Sequence, residues 1–341
     1  TNKETTYMCG IFGFAKTSGH QSEKQLETLK DVLTELADES SVRGTDSTGM
    51  SIIQPDSRQT YKTLLDSSTL VTTGDWDELL DSINVDTTIA IGHVRLATHG
   101  VIKTRNAHPF TVGDVVGAHN GIIHNYNKVA KSLGKSVEVD SQVIFASLNR
   151  NKMKNAFEDI DGDFAITWIK DSNRKIHLAR ESGRPMHIAY WKKAKILLWA
   201  STKDILDMSM AKAGLRLPTR RVEEDYIHTY DTDSFSSKPN VEKESFHTMS
   251  QWNKVNSYYG GYAWGNRSTN YITCDVNPSP ASKSLMPKRL ELMCSYCYEW
   301  VGDEEITTIN NENICIDCEY SIDLPSYTKI DKEDDDDSVP F

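Results

Sequence analysis

Cys9 stands directly in front of a short apolar run, CGIFGFA, with eight mostly polar residues ahead of it. A thiol at the head of a strand can be packing or a nucleophile. As a nucleophile it acts as the thiolate, and near neutral pH most thiols are protonated, so a base has to be at hand. Three further stretches carry polar groups suited to chemistry: RGTDSTG at 43–49, GHVRLATHG at 92–100 followed by NAHPF at 106–110, and AHNGIIHNY at 118–126. Taken singly each reads blandly. RGTDSTG is an acceptable turn, HNG a plain Asn-Gly turn, and each of His93, His99, His108 and His119 is better read as a structural histidine than as a catalytic one.

Of the six cysteines, four form two CxxC pairs, Cys294 with Cys297 and Cys315 with Cys318, with seventeen residues between the pairs. This spacing reads as a four-cysteine zinc ribbon with tetrahedral thiolate ligands. Closed sites of this kind are structural, so the expected role of the Zn2+ is to stabilise a segment too small to fold alone. A disulfide pair or an iron–sulfur cluster is the less favoured reading. No organic cofactor is expected. Cys9 and Cys274 stand alone.

Regular elements must hold these groups in place. Residues 9–15 read as a buried strand. Residues 22–39 read as an amphipathic helix, with Ser22 and Gln25 as a capping box and Leu26, Leu29, Leu33 and Leu36 on one face. TGMSII, TYKTLL, TTIAIGHV and DVVGAH are strand-like, and DSQVIFASLNR (140–150) is a helix with Asp140 at its cap. DFAITWI, KIHLA, MHIAYW and ILLWA follow at short intervals and predict one antiparallel sheet. A helix over 202–213 and two strands close the domain near residue 232. Strands, helices, strands and a helix, without regular βα alternation, predict an α+β layered fold.

The composition bounds the rest. At 341 residues and 38% hydrophobic, the chain has room for two domains or for one large domain with an appendage. No apolar run reaches the length of a membrane span and no signal-peptide core is visible, so a soluble, cytoplasmic protein is expected, with no membrane partner. The net charge is −11, and DKEDDDD near the end carries six acids and one lysine. That balance argues against broad binding of nucleic-acid backbones. After about residue 233 the composition changes: 250–271 is rich in Asn, Ser, Gly, Tyr and Trp, and 233–289 reads as a polar, aromatic linker. The expected organisation is therefore a leader over 1–8, a domain over 9–232, the linker, the zinc ribbon over 290–322 and an acidic tail over 323–341.

In this order, the four polar segments resemble the class II glutamine amidotransferases, whose domains are N-terminal-nucleophile hydrolases. The likeness is greatest to the glutaminase domain of glucosamine-6-phosphate synthase. The resemblance implies a four-layer αββα sandwich and hydrolysis of the side-chain amide of L-glutamine through a cysteinyl thioester. Cys9 would be the nucleophile, activated by its own α-amino group, whose ordinary pKa is near ~8. Asn120 and Gly121 would supply the oxyanion hole. Arg95 would grip the substrate carboxylate and Asp140 its amino group. Thr98 and His99 would line the same pocket. Arg43 and Asp46 would hold the loop beneath the nucleophile, with Arg43 also placed among the substrate contacts. One departure is visible: the synthase domain has tryptophan where this chain has Leu96. That residue belongs to site closure and ammonia passage, so the departure bears on gating and leaves hydrolysis in place.

Nothing after residue 232 resembles an ammonia-using synthetase domain, so a separate synthetase or ligase chain is the expected acceptor partner. Two alternatives stay open: a catalytically silent scaffold that binds through the ribbon and linker, and a free glutaminase or hydrolase of another amide. For Cys9 to act through its α-amine it must be N-terminal. The expectation is a start at Met8 followed by its removal, with self-cleavage of a short propeptide as the alternative.

Overall fold

A computed structural model of the chain describes residues 9–97 and 100–249, together with the backbone of 291–293, 300–302, 306–309 and 312–315. It divides into two compact units, Thr1–Arg289 and Leu290–Phe341.

In the first unit the strands are β1 (Gly10–Lys16), β2 (Ser47–Gln54), β3 (Ser57–Thr63), β4 (Ile89–Arg95), β5 (Phe110–Val112), β6 (Val115–Ile123), β7 (Gly162–Ile169), β8 (Lys175–Arg180), β9 (His187–Trp191), β10 (Ile196–Ala200), β11 (Thr219–Arg221), β12 (Tyr226–Asp231) and β13 (Val241–Ser245). The helices are α1 (Glu23–Ser40), α2 (Ser67–Leu70), α3 (Gly74–Asp81), α4 (Tyr126–Ser132), α5 (Ser141–Arg150) and α6 (Lys203–Lys212). The strands form two antiparallel sheets, one in the order β11-β9-β10-β1-β4-β2-β3 and the other β13-β12-β8-β7-β6-β5.

The period-two alternation of the strands assigns the layers. Phe12 and Phe14 of β1, Ala90 and Val94 of β4, and Leu198 of β10 point to one side, where they pack with Leu29, Leu33 and Leu36 of α1 and Leu206 of α6. Their neighbours Ile11, Ile91 and Trp199 point to the other side and meet Val116, Ala118 and Ala165 of the second sheet. That sheet in turn sends Phe164, Ile166 and Trp168 outward onto Val143, Ile144 and Leu148 of α5. Three apolar interfaces between four layers make an αββα sandwich.

The α1 capping box forms as the sequence predicts: Ser22 Oγ accepts the Gln25 N–H, and the Gln25 side chain accepts the Ser22 N–H. A cap of this kind contributes about 1 kcal/mol.

Three expectations need correction. DFAITWI, KIHLA, MHIAYW and ILLWA do not share a sheet: β7 and β8 lie in the second sheet, and β9 and β10 in the first. Alternation shows which residues face a core but not which sheet a strand joins, and the chain crosses between layers in the 181–186 turn. The domain also runs past residue 232. β13 pairs with β12, and Phe246 is buried against Phe157 and Phe164. VEKES carries no strand pattern because β13 is a charged, largely exposed edge strand. Finally, α2, α3 and α4 lie in stretches that carried no helix prediction, because their apolar repeats are too short to show a period.

In the second unit β14 (Glu291–Met293) pairs with β15 (Trp300–Gly302), and β16 (Ile306–Ile309) pairs with β17 (Glu312–Cys315). No helix among the described residues is long and apolar enough to cross a membrane.

Candidate active site

Cys9 immediately precedes β1. The pairing of Gly10 with Val94 sets it beside the end of β4, where the chain leaves the sheet at Arg95 and Leu96. The half-buried thiol meets only backbone at Leu96: the Leu96 N–H donates to Sγ at 3.3 Å, and Sγ lies 3.4 Å from the Leu96 carbonyl oxygen. These contacts do not depend on the side chain at position 96, so leucine in place of tryptophan leaves them intact. Burial pushes the thiol pKa up. The Leu96 N–H and the charge of Arg95 oppose that rise, Asp140 adds to it, and Arg43 weakly opposes it.

Arg43 ends a 3-10 turn, Ser41–Arg43, that follows α1. Its Nε donates to the Cys9 carbonyl oxygen at 2.9 Å. Glycine at position 10 makes room for it. A Cβ there would stand 2.9 Å from Val94 Cγ2 and 3.2 Å from Arg43 Cδ. Asp46 joins the same loop to the end of β4: its N–H donates to the Arg95 carbonyl oxygen at 3.0 Å, and its Oδ2 accepts the Ala97 N–H at 2.7 Å. Arg95 is buried as the last residue of β4, paired in register with Ser47. Thr98 and His99 lie outside the described residues.

Asn120 and Gly121 come from the other sheet, on β6 opposite Ala165 and Phe164. Gly121 has φ +152°, and a Cβ there would lie 1.9 Å from the Asp163 carbonyl oxygen, so only glycine fits. The Asn120 side chain is buried. Its Nδ2 donates to Ser201 Oγ at 3.5 Å. Ser201 Oγ in turn accepts the N–H of Ile11, two residues after Cys9, at 2.9 Å.

Asp140 occupies the predicted position ahead of α5 but does not cap it. Its backbone is already helical (φ −53°, ψ −39°), whereas a capping side chain needs an extended backbone. The buried carboxylate turns inward, and Oδ2 accepts the Ile123 N–H at the end of β6 at 2.8 Å. Arg95 and Asp140 both act on the Cys9 thiol electrostatically, with opposite signs.

His93 and His119 link the two sheets, with His108 beside them. His93 Nε2 lies 3.0 Å from the His119 carbonyl oxygen, His119 Nδ1 lies 2.7 Å from Ser141 Oγ, and the His93 and His108 rings are 4.1 Å apart. Burial is the first cause of each depressed pKa, to about 3 for His93 and about 4 for His119, with His108 held well below its ordinary value. All three are therefore neutral at pH 7. The structural reading of these three residues fits the observed contacts.

Two contributors have no signal in the sequence. The Leu96 N–H is a backbone group. Ser201 sits between a strand and the Thr202 that caps α6 through the Ile205 N–H, so it reads as part of a cap.

A thiol at a strand head, two arginines and a buried carboxylate around it, and an Asn-Gly pair on the facing sheet make a site for nucleophilic attack on a carbonyl carbon. Residues 93–208 match the family model for a glutamine amidotransferase domain. This match and the likeness to curated relatives support a glutamine amidotransferase domain of the class II, N-terminal-nucleophile kind. It is similar to the glutamine–fructose-6-phosphate aminotransferase (isomerizing) of Fusobacterium nucleatum, at 27% identity over 90% of this chain and 48% of that protein. The counterpart in Chlamydia caviae is 34% identical over 40% of this chain and 21% of its own length. The chain thus spans at most about half the length of these curated relatives. Among solved structures, the glutamine phosphoribosylpyrophosphate amidotransferase of B. subtilis superposes with a TM-score of 0.52 at 19% identity, covering 70% of this chain and 49% of that one. This likeness supports the fold.

Proposed function

We propose that the chain hydrolyses the side-chain amide of glutamine to glutamate and ammonia. The observation that carries this reading is the placement of the Cys9 thiol at the head of β1, with the neighbouring strand end bringing Arg95 beside it. With Cys9 as the first residue, its α-amine takes the thiol proton, and the sulfur attacks the amide carbon. The oxyanion that forms is received by the Asn120 side chain and the Gly121 N–H. The intermediate collapses with loss of ammonia, after the leaving nitrogen takes back the proton, and leaves a glutamyl thioester on Cys9. Water then cleaves the thioester to glutamate and regenerates the thiol. The Arg95 guanidinium suits the substrate α-carboxylate and the Asp140 carboxylate its ammonium group, with Thr98 and His99 as further lining. Arg43 braces the nucleophile through its carbonyl oxygen.

The ammonia passes to a separate acceptor chain of the synthetase or ligase kind. Cys294, Cys297, Cys315 and Cys318 hold a structural Zn2+. The donor set is four thiolates; in the sequence Cys294 directly follows β14, and Cys315 is the last residue of β17.

Rapid quenching during turnover, followed by intact-mass measurement, tests the chemistry. A glutamyl adduct that maps to Cys9 is expected. Turnover without any adduct on Cys9, under conditions where hydrolysis of the thioester limits the rate, contradicts the covalent route.

A further inference from the structure

We propose that Ser201 is a positioning residue for the reaction, fixing which end of the Asn120 amide faces the developing oxyanion. This inference rests on the glutaminase reading given above. Ser201 is buried, follows the last residue of β10, and is distant in sequence from both groups it joins. It stands beside Ile11 because β10 pairs with β1 with Ala200 opposite Phe12. A serine hydroxyl has one hydrogen and two lone pairs. Three contacts use all of them. The Ile11 N–H donates to Oγ at 2.9 Å, the hydroxyl donates to the Ile11 carbonyl oxygen at 3.4 Å, and Asn120 Nδ2 donates to Oγ at 3.5 Å.

The order of these bonds gives the serine its role. The backbone of Ile11 takes the hydroxyl hydrogen and one lone pair. What Ser201 then presents to Asn120 is a lone pair, which accepts an N–H and repels a carbonyl oxygen. The amide is thereby held with Nδ2 toward Ser201. Nδ2 has two hydrogens, so one remains for an oxyanion. Without the hydroxyl, nothing in this contact distinguishes the two ends of the amide, and the flipped form presents an oxygen to a negative charge. Ser201 also connects β1, which carries Cys9 at its head, to the facing sheet that carries Asn120. Both partners of the attack are thus referred to one side chain. Ser201 acts through Asn120 and makes no contact of its own with substrate.

The test is steady-state glutamine hydrolysis by wild type, Ser201→Ala, Asn120→Ala and the double variant, with the rate of Cys9 alkylation by iodoacetamide measured in parallel. Alkylation needs the thiolate but no oxyanion donor. Ser201→Ala is expected to lower kcat about tenfold or more with KM within about twofold and alkylation unchanged. The double variant should be no slower than Asn120→Ala, because the serine has nothing left to orient. Ser201→Cys keeps the shape with weaker hydrogen bonds and should lose kcat to an intermediate degree, which covers the case in which the alanine variant does not fold. A wild-type kcat in both Ser201 variants overturns the inference alone, as does a parallel fall in alkylation rate or fully additive losses in the double variant. A wild-type protein with N-terminal Cys9 that releases no ammonia overturns the functional reading as well.

Discussion

Arg43 Nε lies 2.9 Å from the carbonyl oxygen of Cys9, so the guanidinium grips the backbone of the residue whose side chain is the candidate nucleophile. The grip is possible because Gly10 has no Cβ to fill the space over which the Arg43 stem passes. Arg43→Ala removes a hydrogen bond from a charged donor, typically about 1.5–3 kcal/mol. If that energy holds Cys9 in attacking position, kcat/KM should fall roughly ten- to hundredfold. The expected thermal melt stays cooperative. Unchanged kcat/KM in a folded Arg43→Ala protein would show that the brace has no part in the reaction.

Asn120→Ala should lower kcat by about a hundredfold, the usual cost of losing one oxyanion donor at roughly 3 kcal/mol, with little change in KM. A variant whose loss appears wholly in KM would place Asn120 in ground-state binding instead.

Asp140→Asn separates charge from structure. The asparagine carbonyl can still accept the Ile123 N–H, so the link between α5 and β6 survives. The negative charge that we propose faces the substrate ammonium is lost. KM for glutamine should rise at least tenfold while the melting temperature stays within a few degrees. A large drop in stability with unchanged KM would mean that the carboxylate serves the fold alone.

Much of this candidate site is legible in the sequence, and the reason is local. Cys9, Arg43, Arg95, Asn120 and Gly121 each sit in a short stretch whose pattern survives without knowledge of the fold. The alternation in CGIFGF and TTIAIGHV also places both strands in a core. What was not legible depends on contacts between distant segments. Ser201 meets Ile11 and Asn120 only because β10 lies beside β1 and the two sheets stack. The sequence also offers Asp140 as a helix cap, and only the backbone torsions show that it is already helical. The sheet assignment of β9 and β10 failed for the same reason. Neighbouring strands in sequence usually pair, and only the turn over 181–186 carries the chain across the sandwich.

Buried histidines make stability depend on pH. His93 and His177 are held near 3, and His119 and His228 near 4, with burial as the leading cause. Each folded value lies below the unfolded value of about 6.5, so the unfolded chain binds more protons between them. The stabilisation is complete above about pH 6.5 and is lost as pH falls toward 4. Thermal melts from pH 7 to pH 4 should show a steadily falling midpoint. His177, whose Nδ1 lies 2.8 Å from Thr229 Oγ1 and which is not among the proposed site residues, offers a control: His177→Gln should flatten that slope without altering chemistry at the site. A midpoint that is flat across this range contradicts the account of the buried rings.

Metal content tests the C-terminal reading. Elemental analysis of purified protein should find one zinc per chain, lost when Cys294 and Cys315 are changed to serine. Iron, or no metal bound to protein with four free thiols, would contradict the four-cysteine zinc site.

The most direct test of the central claim is ammonia release from glutamine by protein whose first residue, confirmed by intact mass, is Cys9. Wild type should release ammonia and glutamate in equal amounts, and Cys9→Ala should release neither while giving the same circular dichroism. Equal ammonia release from the alanine variant, or full turnover by protein that retains residues ahead of Cys9, would contradict a mechanism built on the thiol and α-amine of this residue.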